Sequence, residues 1–243
     1  MKSFFSALQF LTIFSWPRRP DRSADEIGAA VAFFPLIGFF LGSILVGANL
    51  LLEPFVAAGL LSVMLVAVLA VLSRGFHLDG LADTFDGLGA GGARERVLRI
   101  MDDSHTGVFG VVAVVLVLLL KTRAIELMDT ERWRALLLAP LLGRWAMVLL
   151  AYRSNPAKPG LGSIFIGNIH GRNVFLAMIF TLALVAGFLQ VIGVAIMVAI
   201  GIFTIGCKRY FHRRLGGVTG DVCGAVGELS ETSALFFLAL AQR

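Results

Sequence analysis

Charge is what this chain has little of. Only 15% of its 243 residues are Asp, Glu, Lys or Arg, against 58% hydrophobic. That balance excludes an ordinary soluble domain. Acids are almost absent from the apolar runs, and the stretch from Val174 to Ile205 carries no charge. Cysteine is scarce too. Cys207 and Cys223 fit no metal spacing, and both fall near the expected cytoplasmic side, so they read as free thiols. None of the four histidines lies mid-run, which argues against a buried haem or a proton relay. There is no internal repeat and no low-complexity tract. Met1 to Trp16 lacks a strong basic front and a small-residue cleavage site, so it is not read as a signal peptide.

What is present comes in apolar runs, and the chain reads as all-α: a polytopic helical membrane protein, one membrane domain over residues 1–243. About seven transmembrane helices are expected, at roughly 20 residues a crossing. The spans are Ile27 to Leu52, Pro54 to Leu72, Val108 to Leu127, Ala135 to Tyr152, Val174 to Phe188, Ile192 to Lys208 and Cys223 to Ala241. A tight turn is expected between Gly187 and Gly193, and Phe4 to Phe14 reads as an interfacial or re-entrant segment.

The basic residues set the orientation. Arg18, Arg19 and Arg22 precede the first span. Arg74, Arg94, Arg96 and Arg99 follow the second, Arg153, Lys158 and Arg172 the fourth, and Lys208, Arg209, Arg213 and Arg214 the sixth. The connections near Glu53 and Gln190 have no Lys or Arg, so the loop after the second span belongs inside the cell. Lys121, Arg123, Arg132 and Arg134 break the rule. Either the topology differs there, or Lys121 and Arg123 face the protein interior. The net charge of +5 is thus a matter of topology; membrane lipid is the expected partner and nucleic acid is not.

Three aspartates carry most of the chemistry: Asp79, Asp83 and Asp86, in Phe76-His77-Leu78-Asp79-Gly80-Leu81-Ala82-Asp83-Thr84-Phe85-Asp86-Gly87. At about 100° per residue the second and third fall within roughly 40° of the first, so all three share one helical stripe. Like charges on one face repel. A divalent cation relieves that, and Mg²⁺ is a hard ion that takes carboxylate oxygens and bridges phosphates. A solvated acidic face is the plainer reading.

Other polar loops fall on the same expected inner face. In Asp102-Asp103-Ser104-His105-Thr106-Gly107, Asp103 or Ser104 could cap the next helix, whose free N–H groups would suit phosphate. Gly160-Leu161-Gly162-Ser163, with Arg153 before it, could hold an anion. Asp221, in Gly216-Gly217-Val218-Thr219-Gly220-Asp221-Val222-Cys223-Gly224-Ala225, leads into a membrane helix with Glu228 further on; it reads as a site acid or a helix cap. His77 would project nearly opposite the stripe on a continuous helix. His170 and His212 read as interfacial polar residues. Arg144, inside an apolar run, either snorkels or pairs with a phosphate or an acid within the bundle.

With these residues in view, the chain resembles the cobalamin synthase family, the adenosylcobinamide-GDP ribazoletransferases. The resemblance rests on His77 to Gly87, on Asp103-Ser104-His105-Thr106-Gly107 with Phe109-Gly110, and on Gly217-Val218-Thr219-Gly220-Asp221 with Gly224-Ala225. Arg144 before Trp145, and Gly160-Leu161-Gly162, look like further family positions, and the likeness covers nearly the whole chain. It implies that adenosylcobinamide-GDP is joined to α-ribazole or its 5′-phosphate with loss of GMP, at the bacterial inner membrane, with Mg²⁺. It carries over Asp79, Asp83 and Asp86 as metal acids. Asp221, His105 and Asp103 are the catalytic candidates, and Lys121, Arg144, Arg153 and His77 the substrate-binding ones. Phosphoryl transfer of this kind is mostly positioning and charge neutralisation. The nearest enzymatic alternative is a CDP-alcohol phosphotransferase, whose Ala-Arg after the opening Asp-Gly is replaced here by Leu81-Ala82. From another class comes a divalent-cation transporter, which would more usually hold its acids near mid-membrane.

Overall fold

The computed structural model describes residues 2–14, 24–129 and 131–242, all helices and connections, with no strand among the described residues. The basic residues Arg18, Arg19 and Arg22 lie outside that set. The helices are α1 (Lys2–Leu11), α2 (Ala24–Ala30), α3 (Phe34–Leu52), α4 (Ala58–Leu72), α5 (Phe76–Ala90), α6 (Arg94–Met101), α7 (Val108–Glu126), α8 (Arg132–Ala151), α9 (Leu161–Gly167), α10 (Gly171–Leu215) and α11 (Gly220–Ala241).

The centre of the bundle is α8. Nearly all its residues are buried, because α3, α10 and α11 pack around it. Small residues let α3 come close: a Cβ at Gly38 or Gly42 would lie 2.4 Å from the Pro140 carbonyl oxygen or 2.3 Å from that of Leu137. In lipid, where hydrophobicity does not drive helices together, such close approach supplies the packing energy. The opposite pattern appears outside. On α7, Val108, Val112, Leu116, Leu119 and Leu120 are exposed, as expected of a helix facing acyl chains.

Five helices among the described residues are long and apolar enough to cross a membrane, or six if α4 and α5 form one bent span. By this measure the expected seven are not all distinguished. The bend between α4 and α5 is 89°. It is made by two consecutive left-handed residues, Arg74 (φ 59°) and Gly75 (φ 64°). In α10 the helix breaks at Gln190 (φ 53°, ψ −137°), within the expected turn. There the chain folds back, since a Cβ on Gly193 would lie 3.0 Å from the Val185 carbonyl oxygen.

The basic residues that broke the orientation rule are accounted for by their partners. Lys121 is buried inside the bundle. Arg123, expected beside it to face the interior, is instead exposed and pairs with Glu126; Arg134 pairs with Glu131, and Arg132 with Glu53 at 3.3 Å, tying two connections of the same side together. Cys207 is half-buried and Cys223 buried, and both are free thiols.

Candidate active site

The acidic stripe of α5 descends from solvent into protein. Asp79 is exposed, Asp83 half-buried and Asp86 buried. Asp86 is engaged: its carboxylate accepts from the backbone N–H of Gly107 at 2.6 Å and of Gly110 at 2.8 Å. It therefore caps α7 from a neighbouring helix and occupies the helix end that the sequence had suggested for phosphate. Neither Asp103 nor Ser104 caps that helix. The two glycines are the signal that could have revealed this, because a Cβ at either would fall within 2.5 Å of a carboxylate oxygen. Replacing Asp86 with Ala is expected to cost about 1–2 kcal/mol of stability, the usual loss for a cap, measurable by thermal unfolding in detergent.

The start of α11 meets this stripe. Its cap is Thr219, whose Oγ1 accepts from the Val222 N–H at 3.1 Å, so Asp221 is not the cap. A Cβ on Gly80 would lie 2.8 Å from the Asp221 carbonyl oxygen, so only glycine lets α5 and α11 touch there. The charges acting on Asp83 are accordingly those of Asp79, Asp221, Lys158 and Asp86.

Lys158, noticed in the sequence only for its bearing on topology, is the cation of this site. Its Nζ donates to Asp102 at 2.5 Å and to Asp221 at 2.9 Å. Burial works against its ammonium, yet the bonds to Asp102 and Asp221 hold its pKa above the ordinary lysine value. The loop is fastened in place. Ala157 N–H donates to the Val218 carbonyl and Val218 N–H to that of Asn155, each at 2.9 Å. Arg94 clamps the carbonyls of Leu215 (2.6 Å) and Ala157 (2.8 Å).

The remaining candidates divide. His105 stands out in solvent, its side chain 90% exposed, with Nδ1 2.7 Å from Asp103. That hydrogen bond holds the Asp103 carboxyl below its usual range. Arg153 is exposed, its guanidinium 5.3 Å from the centre of the Tyr152 ring. Lys121 and Arg144, expected to hold a diphosphate, are spoken for. Lys121 donates to Glu228 and Glu231 at 2.5 Å each, and Arg144 pairs with the other oxygen of Glu231. All four side chains are at most 5% exposed. His77 points into the bundle toward this cluster, 1% exposed, and its Cα lies 3.2 Å from where a Cβ on Gly224 would be. None of these three residues reaches the acidic mouth. The signal for the cluster was the pair Glu228 and Glu231, spaced i, i+3 on a membrane helix, which share one face and need cations there.

Asp79, Asp83 and Asp221 offer the hard oxygen donors that a divalent cation takes. Among the described residues no three His, Cys, Asp or Glu side chains stand close enough to hold an ion as placed. The donor chemistry fits Mg²⁺, while in the arrangement seen Lys158 supplies the counter-charge.

Fold and site together define a polytopic helical membrane protein whose acid-rich loops converge at one end of the bundle. The profile of the cobalamin-5-phosphate synthase family matches residues 3–239, and the chain belongs to that family. It is 41% identical over 239 residues to an adenosylcobinamide-GDP ribazoletransferase of Geotalea daltonii, covering 98% of this chain and 97% of the relative. It is 38% identical to that of Klebsiella pneumoniae (strain 342) over 99% of both chains, and 40% identical to that of Syntrophobacter fumaroxidans over 96% of both. No solved structure matches the chain.

Proposed function

We propose that this protein joins adenosylcobinamide-GDP to α-ribazole or its 5′-phosphate, giving adenosylcobalamin or its 5′-phosphate and GMP. One observation carries the reading: the seat of Asp221 on Gly80 brings two family motifs, far apart in sequence, onto one acidic mouth. In the reaction a ribose hydroxyl of the ribazole forms a bond to the phosphorus bearing cobinamide. The bond from that phosphorus to GMP breaks, and the hydroxyl proton leaves to a base. With Asp79 among the metal acids, the candidates for that base are His105 and Asp103, both exposed. Lys158, held between Asp102 and Asp221, presents positive charge where a diphosphate would lie. Mg²⁺, held by Asp79, Asp83 and Asp221, would neutralise charge building on the transferred phosphate. The CDP-alcohol and transporter alternatives find no support in the family. The deciding assay uses detergent-purified protein with Mg²⁺: GMP should be released from adenosylcobinamide-GDP only when ribazole is present. Release without ribazole, or none with it, overturns the reading.

Since Thr219 and not Asp221 caps α11, Asp221→Ala should alter the metal requirement rather than chiefly the stability. Activity titrated against Mg²⁺ should shift to higher concentration in the variant; superimposable normalised curves would remove Asp221 from the metal site.

The site is proposed to face the cytoplasm of a bacterial inner membrane, on the alternation of basic connections. A cysteine introduced at the exposed Ala93, with Cys207 replaced by Ser, should be protected from an impermeant thiol reagent in intact cells and labelled after lysis. Labelling without lysis would reverse the orientation.

A further inference from the structure

A groove of about 890 Å³ opens beside the acidic stripe, between α1, α5 and α7. One wall is apolar. Phe10 and Phe76 meet edge to face with ring centres 5.6 Å apart, and Val111 and Val115 line the side given by α7. Phe76, Val111 and Val115 are 41%, 51% and 47% exposed, so none of the described residues fills the space against this wall. The other part of the lining is charged: Asp79 of the stripe, and Arg74 at the bend where α5 begins. Besides these two, Gln9 and Thr106 are the polar side chains of the lining among the described residues. Arg74 is held there by a left-handed backbone (φ 59°), a conformation that costs a non-glycine residue energy and that clusters at binding sites.

We propose that this groove binds the ribazole. This deepens the function proposed above and rests on it. The flat, apolar dimethylbenzimidazole lies against Phe10, Phe76, Val111 and Val115, where offset or edge-on aromatic contact is favourable. The ribose points to Asp79, and the 5′-phosphate, when present, meets Arg74 in a charge-assisted pair. Three features favour this occupant over the corrinoid. The groove falls in the range of about 300–1,000 Å³ typical of small-molecule sites. A corrinoid carries a periphery of amides that this apolar wall would leave without partners, at a cost for each buried amide. Finally, Asp79 belongs both to the groove and to the stripe, which puts the nucleophile's ribose beside the acids. Val111 and Val115 sit on a span, so the groove admits an apolar base from the membrane interface.

Equilibrium dialysis with detergent-purified protein tests the assignment without needing turnover. Val115→Trp fills the groove from a half-exposed position. It should weaken α-ribazole binding by about tenfold or more, as overpacking a fitted site does, and leave adenosylcobinamide-GDP binding unchanged. Val111→Trp should do the same, and it serves if Val115→Trp does not fold. Arg74→Ala should weaken the 5′-phosphate form by about tenfold while sparing the free nucleoside. Loss of adenosylcobinamide-GDP binding instead would give the groove to the corrinoid, and loss of neither would make it a lipid-filled furrow; either overturns the proposal. Wild type that binds ribazole in a Val115→Trp-sensitive way but releases no GMP would support the groove and sink the reaction.

Discussion

Asp83→Asn is expected to lower turnover by about 10²–10³-fold, the loss typical when a group that stabilises transition-state charge is removed. Folding should be unharmed. Asp83 is half-buried at the middle of the stripe, under the influence of Asp79, Asp221 and Asp86, all of its own sign, with Lys158 alone opposing them. The substitution keeps the shape and removes that repulsion, so thermal unfolding should stay level or rise slightly. A variant at least as stable as wild type and nearly inactive has lost a working acid rather than a structural one. Asp86→Asn is the contrast: its carboxylate already serves two N–H groups of α7, so stability should fall with activity. Near-normal turnover in Asp83→Asn would take the stripe out of the reaction.

Glu231→Ala is expected to be the most destabilising single change, by about 3–5 kcal/mol, because it strands buried cations. Glu231 holds Lys121 with one oxygen and Arg144 with the other, and Glu228 serves Lys121 only. Without Glu231, Arg144 loses the carboxylate it pairs with, and among the described residues its Nε and Nη2 have no hydrogen bond even now. The cluster joins α7, α8 and α11, so its loss loosens the core around α8. Unfolding in detergent, followed by helical signal, measures the effect. An unchanged midpoint would mean that the cluster is not required for the fold.

How much of this was legible in the sequence can be followed residue by residue. Asp79, Asp83 and Asp86 share a stripe because helical periodicity alone requires it, and the α5 helix does run from Phe76 to Ala90. The apolar runs, the turn at Gln190 and the free thiols followed from composition and local spacing. The resemblance to the family rested instead on short motifs written along the chain. The roles within the site were not legible in the same way. Lys158 and Asp221 are 63 residues apart and meet only because Val218 pairs with the loop at Asn155 to Ala157. Arg144 and Lys121 read equally well as anion holders or as partners for acids. The choice belonged to Glu231, which reaches them only once α11 lies beside α7 and α8. Asp86 likewise became a cap because Gly107 and Gly110 let α7 approach it.

The division has a physical cause. Periodicity, hydropathy and turn chemistry act over a few neighbouring residues, so the sequence by itself determined the helices, their crossing of a membrane and the acid stripe. Pairing of buried charges acts across helices brought together by packing. Which acid binds, caps or neutralises was therefore decided only in the tertiary structure, where each charge left the water and had to find its partner.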